Sequence, residues 1–325
     1  MMQWKGVQGV GEEGTYSEFT APTRKIGVTR GNARTILARE EASQATGSRI
    51  IYRSTLLGFD EEYDWEQWVS PRNIGEILKW TFGTSVPTDL GGGSWQHDIT
   101  IATELPSFTL SVDRGIAVNP TFQLAGCKIN NLTFENVARG VLTSTTEGVG
   151  RFHRNTDALS VSAADRAGFG DNPFIFQQLA VAKGIGGAAQ SNDLHVMRVS
   201  LSFLNNLVVD KNTSDGSYYI HELPEGELQV TGAFDKQFED LAEFNAMVGD
   251  DRLDLTFTWT GAIIAGTDRY QLSIDLPNAA ITSEPLPEIA GGNEQQVLTV
   301  EFVGRYYTSD DKVVSAQLIN NIASY

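Results

Sequence analysis

The stretch GELQVTGAFDKQFEDLAEFNAMVGDDRLDLTFTWTG, residues 226–261, decides the fold. In its first part Leu228, Val230 and Gly232 alternate with Glu227, Gln229 and Thr231, the period-two pattern of a strand. In FDKQFEDLAEFNAMV, Phe234, Phe238, Leu241, Phe244, Ala246 and Met247 recur at helical spacing, so the pattern predicts one amphipathic helix. Asp250 and Asp251 close it. RLDLTFTWTG then returns as a strand with Leu253, Leu255, Phe257 and Trp259 on one face. The unit reads strand, helix, strand, and nothing in it has catalytic spacing.

The same unit is echoed upstream. Residues 58–64 read GFDEEYD and residues 233–239 read AFDKQFE, so Phe59 matches Phe234, Asp60 matches Asp235 and Tyr63 matches Phe238. An alternating strand, IIYRSTLLG, precedes the first copy, and a helical pattern, PRNIGEILKWTFG, follows it. The shared order points to an internally duplicated chain, mainly β, with one flanking helix per half. Two unrelated strand–helix–strand passages are the alternative account.

At 325 residues the chain can bury one large core or two ordinary ones. A net charge of −17 argues against gripping nucleic acid, since neutralising phosphates needs clustered Lys and Arg. It does suit a surface past which a polyanion must slide without sticking. Lysine is scarce, which fits either a high-salt host or GC-rich coding. Cys127 is the only cysteine, excluding an intrachain disulfide and a cysteine-rich zinc site. No run approaches the ~18 apolar residues of a membrane span, and the N-terminus has no apolar signal core. The expectation is a soluble protein made in a cytoplasm.

Residues 1–26 are Gly- and Glu-rich without periodicity and read as an N-terminal arm that orders on a neighbour or frays. Residues 27–150 form a first domain. SRIIYRSTLLGF is its first clear strand, and FDEEYDWEQWVSP reads as an acidic loop whose aromatics pack back on the core. Ser70 and Pro71 predict a helix start, Ile74, Ile77, Leu78 and Phe82 its buried stripe, and Gly83 its end. GTSVPTDLGGGSW is expected as a loop, then HDITIATELPSFTLSVDRG as two strands or one long bent strand broken near Leu105-Pro106, then a long strand TFQLAGCKINNLTFE paired with residues 140–150. Residues 151–192 read as a connecting segment, with FIFQQLAV a candidate strand. Residues 193–325 form a second domain whose strands are DLHVMRVSLSFLNNLVV, YQLSIDLPNAAITSE, QQVLTVEFVGRYYTSD and the tail.

Tests for chemistry return nothing. Gly184-Ile185-Gly186-Gly187 lacks the following helix of a dinucleotide loop, and His97, His153, His195 and His221 share no metal-ligand spacing. The acidic clusters at Asp250-Asp251-Asp254 and Asp310-Asp311 do not match a calcium loop and read as solvated turns. Cys127 reads as a small buried hydrophobe. No catalytic, cofactor-binding or metal-binding residue is assigned, and no cofactor is expected.

Several passages together resemble the tail tube proteins of long-tailed bacterial and archaeal viruses. PSFTLSVDRG, then FQLAGCKINNLTFE with its Gly126-Cys127 step, then GVLTSTTEG, is similar to that family's strand run. GELQVTGAF before an acidic-aromatic helix, and YQLSIDLPNAAITSE before LTVEFVGRY, are similar to its second part. The resemblance implies a β-sandwich flanked by a helix, whose hairpins join those of neighbours into a β-barrel around a channel. It implies a structural virion protein, not an enzyme, that self-assembles into stacked rings, with a duplicated chain forming homotrimeric rings of pseudo-six-fold symmetry. Implied partners are tape measure, tail terminator and distal tail proteins, with DNA passing through an acidic lumen without specific binding. Asn131, Thr133, Glu135, Ser200, Ser202 and Asn206 are candidates for the lumen. A carbohydrate-binding or adhesin-like β-sandwich, using Trp65, Trp68, Tyr218 and Tyr219, is the competing reading, and a hydrolase on a β scaffold is third.

Overall fold

A computed structural model describes residues 7–41, 54–114, 121–156, 158–159, 171–209, 216–286 and 296–325. Its organising element is the seventeen-residue strand Thr121–Val137 (β8). Near its start β8 pairs with Phe108–Asp113 (β7) and Phe152–Thr156 (β10). Beyond Gly126 it pairs instead with Thr143–Gly150 (β9) on one side and Val196–Leu204 (β13) on the other. Gly126 makes the bend, with φ of 66°, and a Cβ there would lie 2.6 Å from Ser17 Oγ.

The first layer runs Arg30–Glu41 (β3), Ser54–Trp68 (β4), β9, β8, β13, Gln229–Gln237 (β14), Val297–Gly304 (β17), every pair antiparallel. The second runs Gly83–Gly91 (β5), Ser94–Ile101 (β6), Ser315–Asn320 (β18), Asp268–Ile281 (β16), Leu253–Ala265 (β15), Leu179–Ile185 (β11), Ser191–Asp193 (β12). Residues Ala279–Ile281 of β16 reach across to β17. Each layer therefore holds a block of strands from the first half of the chain joined edge to edge to a block from the rest, at β8–β13 in the first layer and at β6–β18 in the second. Between the layers Phe257 stacks on Phe302 at 6.2 Å, and Trp259 Nε1 donates to Asn136 Oδ1 at 2.9 Å. That bond satisfies two polar groups in the middle of the core.

Helix Gly75–Phe82 (α1) buries Ile77, Leu78, Trp80 and Phe82, with Phe82 edge-on to Phe203 at 5.1 Å. Gly83 ends it in a positive-φ conformation, as its sequence position predicts. Ser70 does not cap it: Ser70 to Asn73 form a preceding turn in which the Ser70 N–H donates to Asn73 Oδ1, and the helix starts five residues later, at Gly75. The second helix, Ala242–Gly249 (α2), is shorter than its apolar spacing predicts, because Phe234 to Gln237 continue β14. Its buried contacts are Ala246 and Glu243, and Glu243 is held by the ammonium groups of Lys183 and Lys236.

Two expected loops are strands. FDEEYDWEQW belongs to β4, with Glu61, Tyr63, Trp65 and Gln67 inward and carboxylates between them outward. Acidic residues are poor strand formers, and the alternation outweighs that bias here. GTSVPTDLG is β5, an edge strand on which Pro87 needs no ladder partner. Residues 151–192 are more than a connection, since β10 extends the β8 ladder and β11 pairs with β15.

The N-terminal arm differs most from expectation. Val7–Glu12 (β1) pairs with β7 and with Arg24–Ile26 (β2), so this segment orders on its own chain. The anchor is Glu13, a buried carboxylate. It accepts bonds from Ser17 N–H (2.8 Å), Ser107 Oγ (2.8 Å), Thr109 Oγ1 (2.9 Å) and Gly126 N–H (2.8 Å). Charge-assisted bonds of this kind contribute about 1.5–3 kcal/mol each, and orphaned buried donors are costly. Glu13→Ala should therefore lower unfolding free energy in urea by on the order of 3 kcal/mol. A change below about 0.5 kcal/mol, the level of a typical surface substitution, would show that the anchor is ornamental.

α1 is covered by the chain's own segments. Arg24 bridges to Glu76 at 2.7 Å, Lys79 to Glu12 at 2.7 Å, and the Tyr325 ring packs against Gly75, where a Cβ would collide with it. Burial pushes the Glu76 carboxyl from 4.5 up to about 7, against the opposing pull of Arg24. A carboxyl whose folded-state pKa is raised favours folding below the unfolded value, and that contribution is lost as pH rises through the folded one. The wild-type chain should lose stability relative to Glu76→Gln between about pH 4.5 and 7. Parallel stability–pH curves for the two would contradict this environment for Glu76.

Candidate functional site

Alternation along the first layer puts one face on the core and leaves the other polar. On β4 the outward residues are Glu62, Asp64 and Glu66, and β9 sets Thr145 and Glu147 beside them, with Asp64 opposite Glu147. Next come Asn131, Thr133 and Glu135 of β8, and the ladder places Ser202 opposite Thr133 and Ser200 opposite Glu135. Asp235 of β14 and Thr299 and Glu301 of β17 complete the face. Carboxylates outnumber its arginines, which are Arg30 and Arg34 on β3 and Arg198 on β13.

Short polar side chains knit the face together. Ser202 Oγ donates to Asn131 Oδ1 at 3.0 Å, Thr133 Oγ1 to Ser202 Oγ at 3.4 Å, and Thr299 Oγ1 to Asp235 Oδ1 at 2.8 Å. Arg34 meets Glu62 at 2.8 Å, and Arg198 meets Glu135 at 3.1 Å. The second pair spans the β8–β13 seam where the halves of the chain join. Of the six candidate residues read from sequence, the seam brings five onto one surface: Asn131, Thr133, Glu135, Ser200 and Ser202. Asn206 is not among them. It turns the chain after β13 with φ of 48° and donates to the Glu227 carbonyl.

This layer ends in an open edge. Among the described residues β3 pairs only with β4, so one side of this twelve-residue strand has no strand partner, although Arg114 donates to the carbonyl of buried Ala33. A long unpaired edge is a template for pairing with another chain.

The remaining candidates are inert. Among the described residues no three His, Cys, Asp or Glu side chains converge as metal ligands. Cys127 is buried, and burial pushes its thiol well above the ordinary range, away from the reactive thiolate. His97 is buried and donates to the Ile322 carbonyl at 2.8 Å, while His153 and His195 pair with Glu61 and Glu239. A surface cleft of 630 Å³ is lined by the Arg24–Glu76 and Arg72–Asp171 ion pairs and holds no nucleophile–base arrangement. No described helix is long and apolar enough to cross a membrane.

The aromatics that would serve a glycan site are dispersed. Trp65 is buried and Tyr219 stacks on Phe59 at 5.1 Å. Trp68 and Tyr218 are exposed, but Tyr218 sits beside Phe59, nine residues from Trp68 along β4, a separation of roughly 30 Å. No local pattern marks the Glu13 anchor or Tyr325, because each depends on groups distant in the chain.

These features define a β-sandwich with a polar, acidic sheet face, an open sheet edge and, among the described residues, no reaction centre. Residues 3–304 match the family model described as phage tail tube protein, and the chain belongs to that family. It is a structural component of a virion tail that self-polymerises, and it is not an enzyme. No curated protein matches the chain.

Because the polar face is solvated, its ion pairs should add little to folding; exposed pairs are worth about 0–1 kcal/mol. Arg198→Ala is expected to change unfolding free energy by less than about 0.5 kcal/mol in denaturant titrations. A loss above about 2 kcal/mol would mean that the seam depends on this charge rather than on its backbone ladder.

Proposed function

We propose that the chain assembles into rings in which the β3 edge of each copy pairs with the sheet of the next. The first layers then join into one β-barrel whose polar face lines a channel for DNA. Continuity of the antiparallel layer across the β8–β13 seam carries this reading, since a sheet already spanning both halves needs only its open edge satisfied to close. The acidic face supports passage without adhesion, because carboxylates repel phosphate within about a Debye length.

The chain is read as two tube-like units. β4 lies between β3 and β9, and is followed by α1 and the hairpin β5–β6. β14 lies between β13 and β17, and is followed by α2 and the hairpin β15–β16. This parallel order supports a duplicated domain and, with it, a ring of three chains carrying six pseudo-equivalent units. Stacked rings form the tube, and tape measure, terminator and distal tail proteins are its partners along and at the ends of the tail.

Two measurements test this. Native mass spectrometry of isolated rings should give three chains; six chains would keep the tube and remove the duplication. Replacing Asp64, Glu66 and Glu147 together by Lys should leave rings intact but make their channel retain single DNA molecules. That retention should weaken steeply with salt, by a slope of about −0.9 per phosphate contact in the logarithmic plot. A variant as indifferent to DNA as the wild type would place this face away from the channel.

A further inference from the structure

We propose that Arg114 guards the β3 edge in the unassembled chain, and that its guanidinium must leave the Ala33 carbonyl before a second copy can pair there. The proposal rests on the ring reading above and adds a gate to it.

The direction of the β3 backbone groups follows from β4. Phe59 donates its N–H to the Tyr218 carbonyl at 2.9 Å, on the side of β4 away from β3. In an antiparallel ladder, residues opposite each other either exchange both of their backbone bonds or turn both groups away. Phe59 stands opposite Leu37, so Leu37 turns its N–H and C=O to the open side of β3. The β3–β4 register is unbroken from Arg30 to Ala38, and alternation gives Thr35, Ala33 and Gly31 the same direction. These are the residues an incoming strand must bond, and Ala33 lies inside the run.

Arg114 holds that position. Its Nη2 donates to the Ala33 carbonyl at 2.5 Å. β7 places the residue, since that strand ends at Asp113, and the guanidinium lies over the Phe122 ring of β8, 5.3 Å from its centre. Ala33 is fully buried, so its carbonyl would be costly to leave bare, and the arginine supplies a donor until a neighbour does. The bond is charge-assisted and stronger than one from a single backbone N–H. Arg114 itself is exposed, so its side chain can swing into solvent without unpacking the core.

A paired strand lies about 4.8 Å from its neighbour, in the space that the guanidinium fills here, so arginine and strand exclude one another. An isolated strand end that offers one or two bonds does not displace Arg114. A strand presented in register along Gly31 to Leu37 offers several bonds against the one it replaces. The contact thus opposes stray edge-to-edge pairing and yields to a complete sheet edge.

The test compares wild-type protein with Arg114→Ala over a concentration series, read by sedimentation for polymer and by negative-stain microscopy for rings and tubes. Losing one charge-assisted bond should lower the concentration at which the variant forms rings and tubes about tenfold. This is expected although the variant is more negative than a chain already at −17, a change that by itself opposes self-association. Ring and tube formation by Arg114→Ala only at the wild-type concentration or above overturns the proposal. Should that variant fail to fold, a reconstruction of wild-type tubes decides the matter. Arg114 withdrawn from Ala33, with a neighbour's backbone N–H in its place, supports the gate. β3 paired to a neighbour while Arg114 stays on the Ala33 carbonyl overturns the gate alone, and β3 unpaired overturns the ring reading with it.

Discussion

The structure depends on the backbone pairing of β8 with β13. Seven residue pairs, from Arg198 opposite Val137 to Leu204 opposite Asn131, fuse strands that are about seventy residues apart in sequence. Every buried N–H and C=O along that line needs a partner, so the two halves cannot separate without exposing both edges. Val199, Leu201 and Phe203 point inward along the same strand, toward the core that also holds Leu132 and Phe134. Hydrogen bonding and apolar burial thus fix the same register, because a slip of one residue would turn that apolar set to water.

Charge is distributed according to the same geometry. Among the described residues the buried carboxylates are few and each has donors: Glu13 four, Glu243 two lysines, Glu61 Thr35 and His153, and Asp113 the Leu159 N–H. Lys236 is held strongly protonated by Asp193 and Glu243 despite its burial, which is how a like number of acids and bases persists beneath α2. The exposed carboxylates of β4, β9 and β17 contribute almost nothing to folding and much to what the surface repels. A chain selected only for stability would have little reason to set Asp64 opposite Glu147. On the proposed reading, a polyanion passing over this face supplies that reason.

Strand and helix order, the Gly83 stop and the burial of Cys127 were legible because each follows from a local period or a single residue type. The β3–β4 hairpin was half legible: its acidic residues imitated a loop, and only the positions of Tyr63 and Trp65 betrayed the alternation. Phe234 misled in the other direction, since an apolar residue at the last turns of β14 also fits the helical spacing of the residues after it. The five seam residues were recognised singly as polar alternates, yet their convergence required the β8–β13 pairing, which no local pattern encodes. Glu13 and Tyr325 could not be found from sequence at all, because what makes them anchors is the depth at which remote segments bury them.

On the proposed reading the acidic sheet face lines the channel of a polymer closed through the β3 edge. A cryo-electron microscopy reconstruction of assembled tubes tests it most directly. A continuous β-barrel is expected, with Asp64, Glu147, Thr133 and Ser202 pointing inward and β3 hydrogen-bonded to the neighbouring chain. A reconstruction with that face on the outside of the tube, or with β3 unpaired, would contradict it.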